Sequence, residues 1–348
     1  MFDFLSAGLS FGITVLCIFL LRPLALRLDL IDTPNIRKQH QGNIPLIGGL
    51  GMLMGLLVGL LTLPISLQSY RSFIAGSALL VFVGMLDDFR ELSPKSRFFA
   101  QIAAVLLMIF WGNVYITHLG NLIFFKEIYL GHYTSLMVTL IAGLGIINAI
   151  NMIDGIDGLA GTLALVELVL LIYGAIITQH FPAASILLLL TASVLGFLCF
   201  NFPFPGRIRA QIFMGDAGSM LLGFGLVWFL IELSQSNFRP ITPVTMLWIM
   251  SVPLFDATAV MLYRLIKGQS VIFSDRQHGH HLLLDLNFSS LQVNILLGSV
   301  NFVLGLIGLC AFYKQLNESI MFISFLILFI IYFFVVNYCR NLVIKKSK

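Results

Sequence analysis

The sequence predicts an all-α, polytopic membrane protein of about eleven transmembrane helices, folded as a single domain over residues 1–348. Three observations carry that prediction. Apolar residues fill 59% of the chain and charged residues 10%, against roughly 25% charged in soluble domains, and mean hydropathy is +0.98. The apolar residues fall in runs of about 20, the length that crosses a bilayer core as a helix. Basic residues gather on alternate loops, as the positive-inside tendency requires.

The first run, near 4–22, has Asp3 before it and Arg22 and Arg27 after it. That charge order is the reverse of a secretory signal, so the segment is expected to stay as helix one. Further runs lie near 44–64, 72–87 and 97–117, the third closing on Asp87-Asp88. A fifth run, near 133–150, is crowded by polar residues in its C-terminal half. Runs near 158–179 and 182–201 precede the eighth, near 216–234, which Phe213-Met-Gly-Asp216 opens. The ninth, near 243–263, contains Pro253 and Asp256, and the last two lie near 292–312 and 319–339. No internal repeat interrupts the array.

With the N-terminus outside (periplasmic), only Arg71, Lys126, Arg239 and Lys314 of the 20 Lys and Arg residues fall on outside loops. The C-terminus is then inside (cytoplasmic), and the inside loops cover about 23–43, 88–96, 151–157, 202–215 and 264–291. These loops also hold most of the acids and His40, His278, His280 and His281. The positive-inside tendency predicts no excess of Asp, so acids, bases and histidines together suggest a site for a charged, metal-bound substrate on that face. The net charge of +4 gives no reason to expect nucleic acid, and the basic face would hold anionic lipid in any membrane protein. Cys17, Cys199, Cys310 and Cys339 form no CxxC pair and read as small core residues.

Four motifs carry chemistry. Asn148, Asn151, Asp154 and Asp157 recur at three-residue spacing, which places them on one face of a helix end. Intramembrane carboxylates are costly unless they face a wet cavity. The amides could grip a base, ribose or sugar while the acids handle metal or protons; the competing reading is polar glue between helices. Asp87 and Asp88 close a helix whose dipole they oppose, which favours Mg²⁺ or catalysis over a solvated helix end. Asp216 between Gly215 and Gly218 could cap a helix, hold metal or phosphate, or both. The loop Asp275-Arg-Gln-His278-Gly-His280-His281 offers guanidinium and imidazole donors for a diphosphate or sugar. No Cys and no HExxH helix accompanies those histidines to make a zinc site. Asp256 could line the cavity or pair with a base on another helix.

Taken together, the motifs resemble the polyprenyl-phosphate N-acetylhexosamine-1-phosphate transferases. Asp32-Thr-Pro-Asn-Ile-Arg37-Lys38-Gln-His40 with Gly48-Gly49 is similar to that family's opening signature. The acid pair, the Asn/Asp stripe, the Phe-Met-Gly-Asp turn and the His-x-His-His loop follow in family order. The form of that loop is similar to the bacterial branch using UDP-N-acetylglucosamine. The resemblance implies transfer of GlcNAc-1-phosphate from UDP-GlcNAc to undecaprenyl phosphate, giving undecaprenyl-diphospho-GlcNAc and UMP. It also implies a bacterial cytoplasmic (inner) membrane location, membrane lipid as partner and a role in starting O-antigen or enterobacterial common antigen. Another UDP-N-acetylamino sugar is the alternative donor, and a secondary transporter the remote alternative class. A homodimer is compatible with it.

The resemblance further implies Mg²⁺, with Mn²⁺ as a substitute, on Asp88 and Asp216 first and on Asp87, which is also a candidate base or orienting group. Asp87, Asp88, Asp154, Asp157 and Asp216 form the implied catalytic set. Asn148 and Asn151 would hold the nucleotide. Arg37, Lys38, His40, Arg264, Arg276, His278, His280 and His281 would bind phosphate or sugar.

Overall fold

The computed structural model describes residues 3–32, 42–124, 126–207, 209–269 and 277–346. Among them are thirteen α-helices: α1 Phe4–Arg27, α2 Gly48–Thr62, α3 Arg71–Arg90, α4 Pro94–Phe110, α5 His132–Ile153, α6 Leu159–Ile177, α7 Phe181–Asn201, α8 Gly215–Ser234, α9 Pro243–Ile249, α10 Ser251–Ile266, α11 Gly279–Asp285, α12 Ser290–Tyr313 and α13 Glu318–Lys346. Each predicted run overlaps at least one helix, and the run near 243–263 overlaps two. Eight are long and apolar enough to cross a membrane, and the bent pair α9 and α10 makes a ninth candidate. The protein is an all-α, multi-pass membrane protein.

Two helices are shorter than their runs. The 15 residues of α2 reach about 22 Å at 1.5 Å each, short of a roughly 30 Å hydrocarbon core. α4 has 17 residues and ends at Phe110, not near 117. The chain from Val114 is held instead in extended form, its Thr117 and His118 N–H groups donating to Gln235 Oε1 at 2.9 and 3.1 Å.

The run near 243–263 is not one helix. It breaks at Met250, and α9 and α10 meet at 82°. Pro253 is the cause: it has no N–H for the carbonyl of Ile249 four residues earlier, and its ring crowds that oxygen.

α8 is the hub, buried along nearly its whole length and surrounded by α2, α3, α5 and α6. Small residues let its neighbours close in. A Cβ on Gly84 of α3 would lie 2.4 Å from Ala217 Cα, and one on Gly49 of α2 would lie 2.3 Å from Gly218 N. These contacts draw the C-terminal end of α3 and the N-terminal end of α2 onto the first turn of α8. There a two-stranded hairpin, β1 Ile31–Asp32 and β2 Ile44–Pro45, pairs Ile31 with Pro45 and Asp32 with Ile44. It is tied to the α8 approach by Phe213 N–H donating to Pro45 O at 2.8 Å and Gly48 N–H to Phe213 O at 3.0 Å.

Candidate active site

The chain ends of α3, α5 and α8 bring the predicted acids into one basin. Asp88 in the last turn of α3 accepts from the backbone N–H groups of Asp216 (2.8 Å) and Ala217 (3.3 Å). It therefore caps α8, a helix with no side-chain cap of its own, and places a carboxylate at the positive end of its dipole. The cap explains the Met-Gly-Asp turn. Gly215 has φ +71, and a Cβ there would stand 2.3 Å from Asp88 Oδ2, so glycine is required twice over. Asp216 does not cap its own helix.

Asp87 is buried, so the solvated-helix-end reading of the pair fails. Arg97 in the first turns of α4 holds it: Nη1 lies 3.2 Å from Asp87 Oδ2 and 2.8 Å from Asp216 Oδ2. Asn151 Nδ2 donates to Asp216 Oδ1 and, at 2.8 Å, to Ser219 Oγ. One guanidinium and one amide thus bind the ends of four helices through two carboxylates. Arg97 and Ser219 were not singled out in the sequence. Arg97 reads there as one more inside-loop cation, and only the fold shows which carboxylates it meets.

The predicted stripe does not continue as a helix. α5 ends at Ile153, Asp154 is its C-cap, and Asp157 lies in the following turn. Gly155 and Gly158, the latter at φ +82, turn the chain there. The four residues consequently diverge in task. Asn148 donates to Gln101 Oε1 at 2.8 Å and to Leu144 O at 2.7 Å, joining α5 to α4. Asn151 faces Asp216. Asp157 Oδ2 accepts from Ala210 N–H at 2.9 Å, fastening the segment before α8. The Gly158 N–H is taken by Asn201 Oδ1 at 2.8 Å, which fixes the other side of the turn.

Asp154 is the open acid. It is half-buried, and no hydrogen-bond donor to its carboxylate is seen among the described residues. Burial, then the neighbouring charges of Asp216, Asp157 and Asp32, push its pKa up to about 7. A carboxyl so placed gains from any cation delivered to the basin.

The histidine loop closes over this turn. A Cβ on Gly155 would lie 2.8 Å from His280 Nε2 and 3.0 Å from His281 Nε2. Behind the loop stands Asp256 of α10, whose role the sequence left open. Its Oδ2 receives His278 Nδ1 at 2.8 Å, with His280 Nδ1 at 3.8 Å. Its Oδ1 receives Gly279 N–H at 2.7 Å and Tyr332 O–H at 2.9 Å. Asp256 does pair with a base, and it clasps the start of α11. The His278 and His280 rings stack at a centroid distance of 5.4 Å, and the His281 ring lies 4.3 Å from that of His280, tilted by 50°. Asp256, His278 and His280 bring ligand atoms within 4.8 Å of one another, a grouping that could hold a metal ion. A carboxylate already receiving three donors needs none for balance.

Arg264, in the last turn of α10, is almost fully buried. Arg340 of α13 stacks 3.6 Å over the Tyr263 ring and donates to Gln277 O at 3.0 Å, holding the loop from its far side. Arg37, Lys38, His40 and Arg276 lie outside the described residues.

The fit to a divalent ion is chemical. Asp87, Asp88, Asp154 and Asp216 are hard oxygen donors at one place, balanced among the described residues by the single guanidinium of Arg97. Mg²⁺ takes one or two carboxylates and completes its shell with water and phosphate oxygens. The basin suits such an ion with a diphosphate.

Known proteins are similar to this chain in sequence. Residues 70–234, which carry the acid pair, Arg97, the Asn/Asp segment and Asp216, match the glycosyl transferase family 4 profile. The undecaprenyl-phosphate alpha-N-acetylglucosaminyl 1-phosphate transferase of Haemophilus influenzae is 38% identical over 339 residues, covering 96% of this chain and 94% of its own. Proteins of the same description from Escherichia coli O157:H7 and Yersinia pestis are each 37% identical over 330 residues. They cover 94% and 92% of this chain and 88% and 87% of theirs. The chain belongs to glycosyl transferase family 4, in the group of membrane sugar-phosphate transferases that these relatives represent.

Proposed function

We propose that the protein transfers GlcNAc-1-phosphate from UDP-GlcNAc to undecaprenyl phosphate, forming undecaprenyl-diphospho-GlcNAc and releasing UMP. The observation that carries this reading is the basin itself, four carboxylates at the ends of α3, α5 and α8, two of them held by Arg97, in a membrane protein. Its relatives bear the name of this reaction.

An oxygen of the lipid phosphate attacks the sugar-linked β-phosphorus, and the bond from that phosphorus to the bridging oxygen breaks. UMP leaves with the electron pair. Both reactants are anions, so catalysis consists largely of neutralising charge and holding the reacting atoms in line. Asp87, Asp88, Asp154 and Asp216 would hold Mg²⁺, or Mn²⁺ in its place. When bound, the ion supplies charge neutralisation to the diphosphate and the lipid phosphate. Arg97 steadies Asp87 and Asp216 and offers its remaining N–H groups to phosphate oxygens. Asp87, adjacent to that guanidinium, orients the lipid phosphate, which is already largely ionised near neutral pH and needs no strong base. Asn151 sets Asp216. His280 and His281 overlie the Asp154 turn and bind diphosphate or sugar; Arg264 and, outside the described residues, Arg276, Arg37, Lys38 and His40 are assigned to phosphate or sugar, and Asn148 to the nucleotide.

The basic-residue distribution supports eleven spans, a periplasmic N-terminus, and the basin on the cytoplasmic face of a bacterial inner membrane, where UDP-sugars are made. The product is the lipid-linked start of an O-antigen or enterobacterial common antigen type glycan, and a homodimer is consistent with the apolar exposed faces of α12 and α13. A donor panel tests the sugar assignment. Purified protein in Mg²⁺ should label undecaprenyl phosphate from UDP-GlcNAc at least tenfold faster than from UDP-GalNAc, a threshold at the low end of what pocket contacts discriminate. Preference for another donor would move the sugar, and no transfer from any donor would overturn the reading.

A further inference from the structure

α12 carries two fully buried asparagines seven residues apart, Asn294 and Asn301, with Gly298 and Gly305 on the same face. The glycines let α6 close in: a Cβ on Gly298 would lie 3.1 Å from Thr162 Cγ2, and one on Gly305 would lie 2.4 Å from Leu170 Cδ1. Each asparagine meets a polar residue of α6 across this seam. Asn294 Oδ1 accepts from Thr162 Oγ1 at 3.0 Å, and its Nδ2 donates to the backbone oxygen of Asp157 at 2.9 Å. Asn301 Nδ2 faces Glu167 Oε1 at 3.4 Å, and both residues are wholly excluded from solvent.

Asn301 sits on the break between α9 and α10. Its Nδ2 donates to Ile249 O at 3.2 Å, the carbonyl that Pro253 leaves without a helical donor. Its Oδ1 accepts from Val252 N–H at 3.0 Å and Ser251 Oγ at 3.2 Å on the other side. One amide therefore replaces the helix hydrogen bonds on both sides of an 82° bend inside a membrane-embedded segment, where an orphaned backbone group costs several kcal/mol. The carboxyl of Glu167 backs the same amide from α6. The bend sets where α10 points, and α10 carries Asp256, which holds His278 and Gly279, and Arg264.

We infer that Asn301, backed by Glu167, is a positioning residue for the transfer reaction: it splints the α9 to α10 bend so that Asp256 meets the histidine loop. The inference rests on the function proposed above for its kinetic consequence, but its structural part does not. Neither residue touches the basin, so neither is a catalytic residue.

Hydrogen exchange followed by mass spectrometry on the full-length protein in detergent reads the structural part. In Asn301→Leu, the peptide spanning Gly279–His281 should exchange about tenfold faster than in wild type, while a peptide from α1 keeps its rate. An unchanged rate at 279–281 overturns the inference whether or not the protein transfers sugar phosphate. The kinetic part is read from a double-mutant cycle on kcat/KM for the UDP-sugar. Asn301→Leu and Asp256→Asn should each cost about 10- to 100-fold, the usual effect of removing a residue that orients a site. The double variant should fall no more than about threefold below the weaker single, because both act through one clasp. Losses that multiply would show a generally damaged bundle and overturn the positioning role. Should Asn301→Leu fail to fold, Asn301→Ser, whose hydroxyl is too short to reach both sides of the break, goes through the same two measurements with the same expectations. Absence of transfer by wild type would count against the proposed function alone.

Discussion

Replacing Gly215 by alanine separates the cost of backbone strain from the cost of disturbing the acid basin. At φ +71 a Cβ is strained wherever it points, by about 1–3 kcal/mol. At Gly215 it would also meet the Asp88 carboxylate at 2.3 Å. That carboxylate must move by about 1 Å to restore contact distance, and it would then loosen the hydrogen bonds it accepts from Asp216 and Ala217. Hydrogen bonds to a charged group are each worth about 1.5–3 kcal/mol. Gly206 is the control. It too has positive φ, +98, but nothing lies within 4 Å of its Cβ position. Gly206→Ala should lower the melting temperature by a few degrees, as a loss of about 1–2 kcal/mol does, and keep transfer within about twofold. Gly215→Ala should lower kcat about 100-fold, the effect of displacing a reacting group by 1 Å. The assay is UMP release by purified protein, with thermal melts of both variants alongside. Equal activities of the two variants would refute the argument that Asp88 and the Gly215 turn form one unit.

Further outcomes follow from the same geometry. Arg97→Gln strands Asp87 and Asp216; for a half-buried pair the loss should be about 2 kcal/mol, or roughly 30-fold in kcat/KM. The Mg²⁺ concentration for half-activation should drop at the same time, because two carboxylates lose their competing guanidinium; a titration of rate against Mg²⁺ checks both. Asp154 titrates upward to about 7 without metal. As an acid raised above its unfolded value of 3.8, it contributes stability that is fully present below that value and is lost as pH rises through about 7. In EDTA, Asp154→Asn should melt higher than wild type at pH 8.5, with the gap narrowing steadily as pH falls to 5, while divalent-ion affinity of the wild type, measured by calorimetry, should rise across pH 6 to 8. Tyr332→Phe removes one of the donors to Asp256 and should raise the KM for the UDP-sugar about two- to threefold with kcat nearly unchanged; a matching loss in kcat alone would contradict its place behind the histidine loop.

The all-α, multi-pass character and the rough placement of the helices were legible because apolar length is a local property of the chain; the count of about eleven spans was not matched, since among the described residues eight helices, or nine with the bent pair, are long and apolar enough to cross a membrane. The gathering of Asp87, Asp88, Asn151, Asp154 and Asp216 was legible for a related reason: all lie at or beside ends of apolar runs, and the alternation of those runs was expected to bring these ends to one side. What was hidden depended on contacts between distant segments. Arg97 looks like any loop cation until α4 is set beside α3 and α8. Asp88 appears as half of an acid pair, yet its geometry is that of a cap on a helix more than a hundred residues away. Asn148 and Asn151 share a face in sequence, but Gln101 draws the first toward α4 while Asp216 draws the second into the basin. Pro253 was visible, but the 82° bend beside it is bridged by the Asn301 amide, which no local pattern connects to it.

The central claim is that the sugar moves together with its phosphate. The most direct test is a single reaction of the purified protein with undecaprenyl phosphate, Mg²⁺ and UDP-GlcNAc labelled with ³²P at the β-phosphorus, with a parallel reaction in EDTA. The account predicts that the label enters the organic-soluble lipid, that the released nucleotide is unlabelled UMP, and that EDTA abolishes both. Label remaining in released UDP, with sugar alone on the lipid, would contradict it.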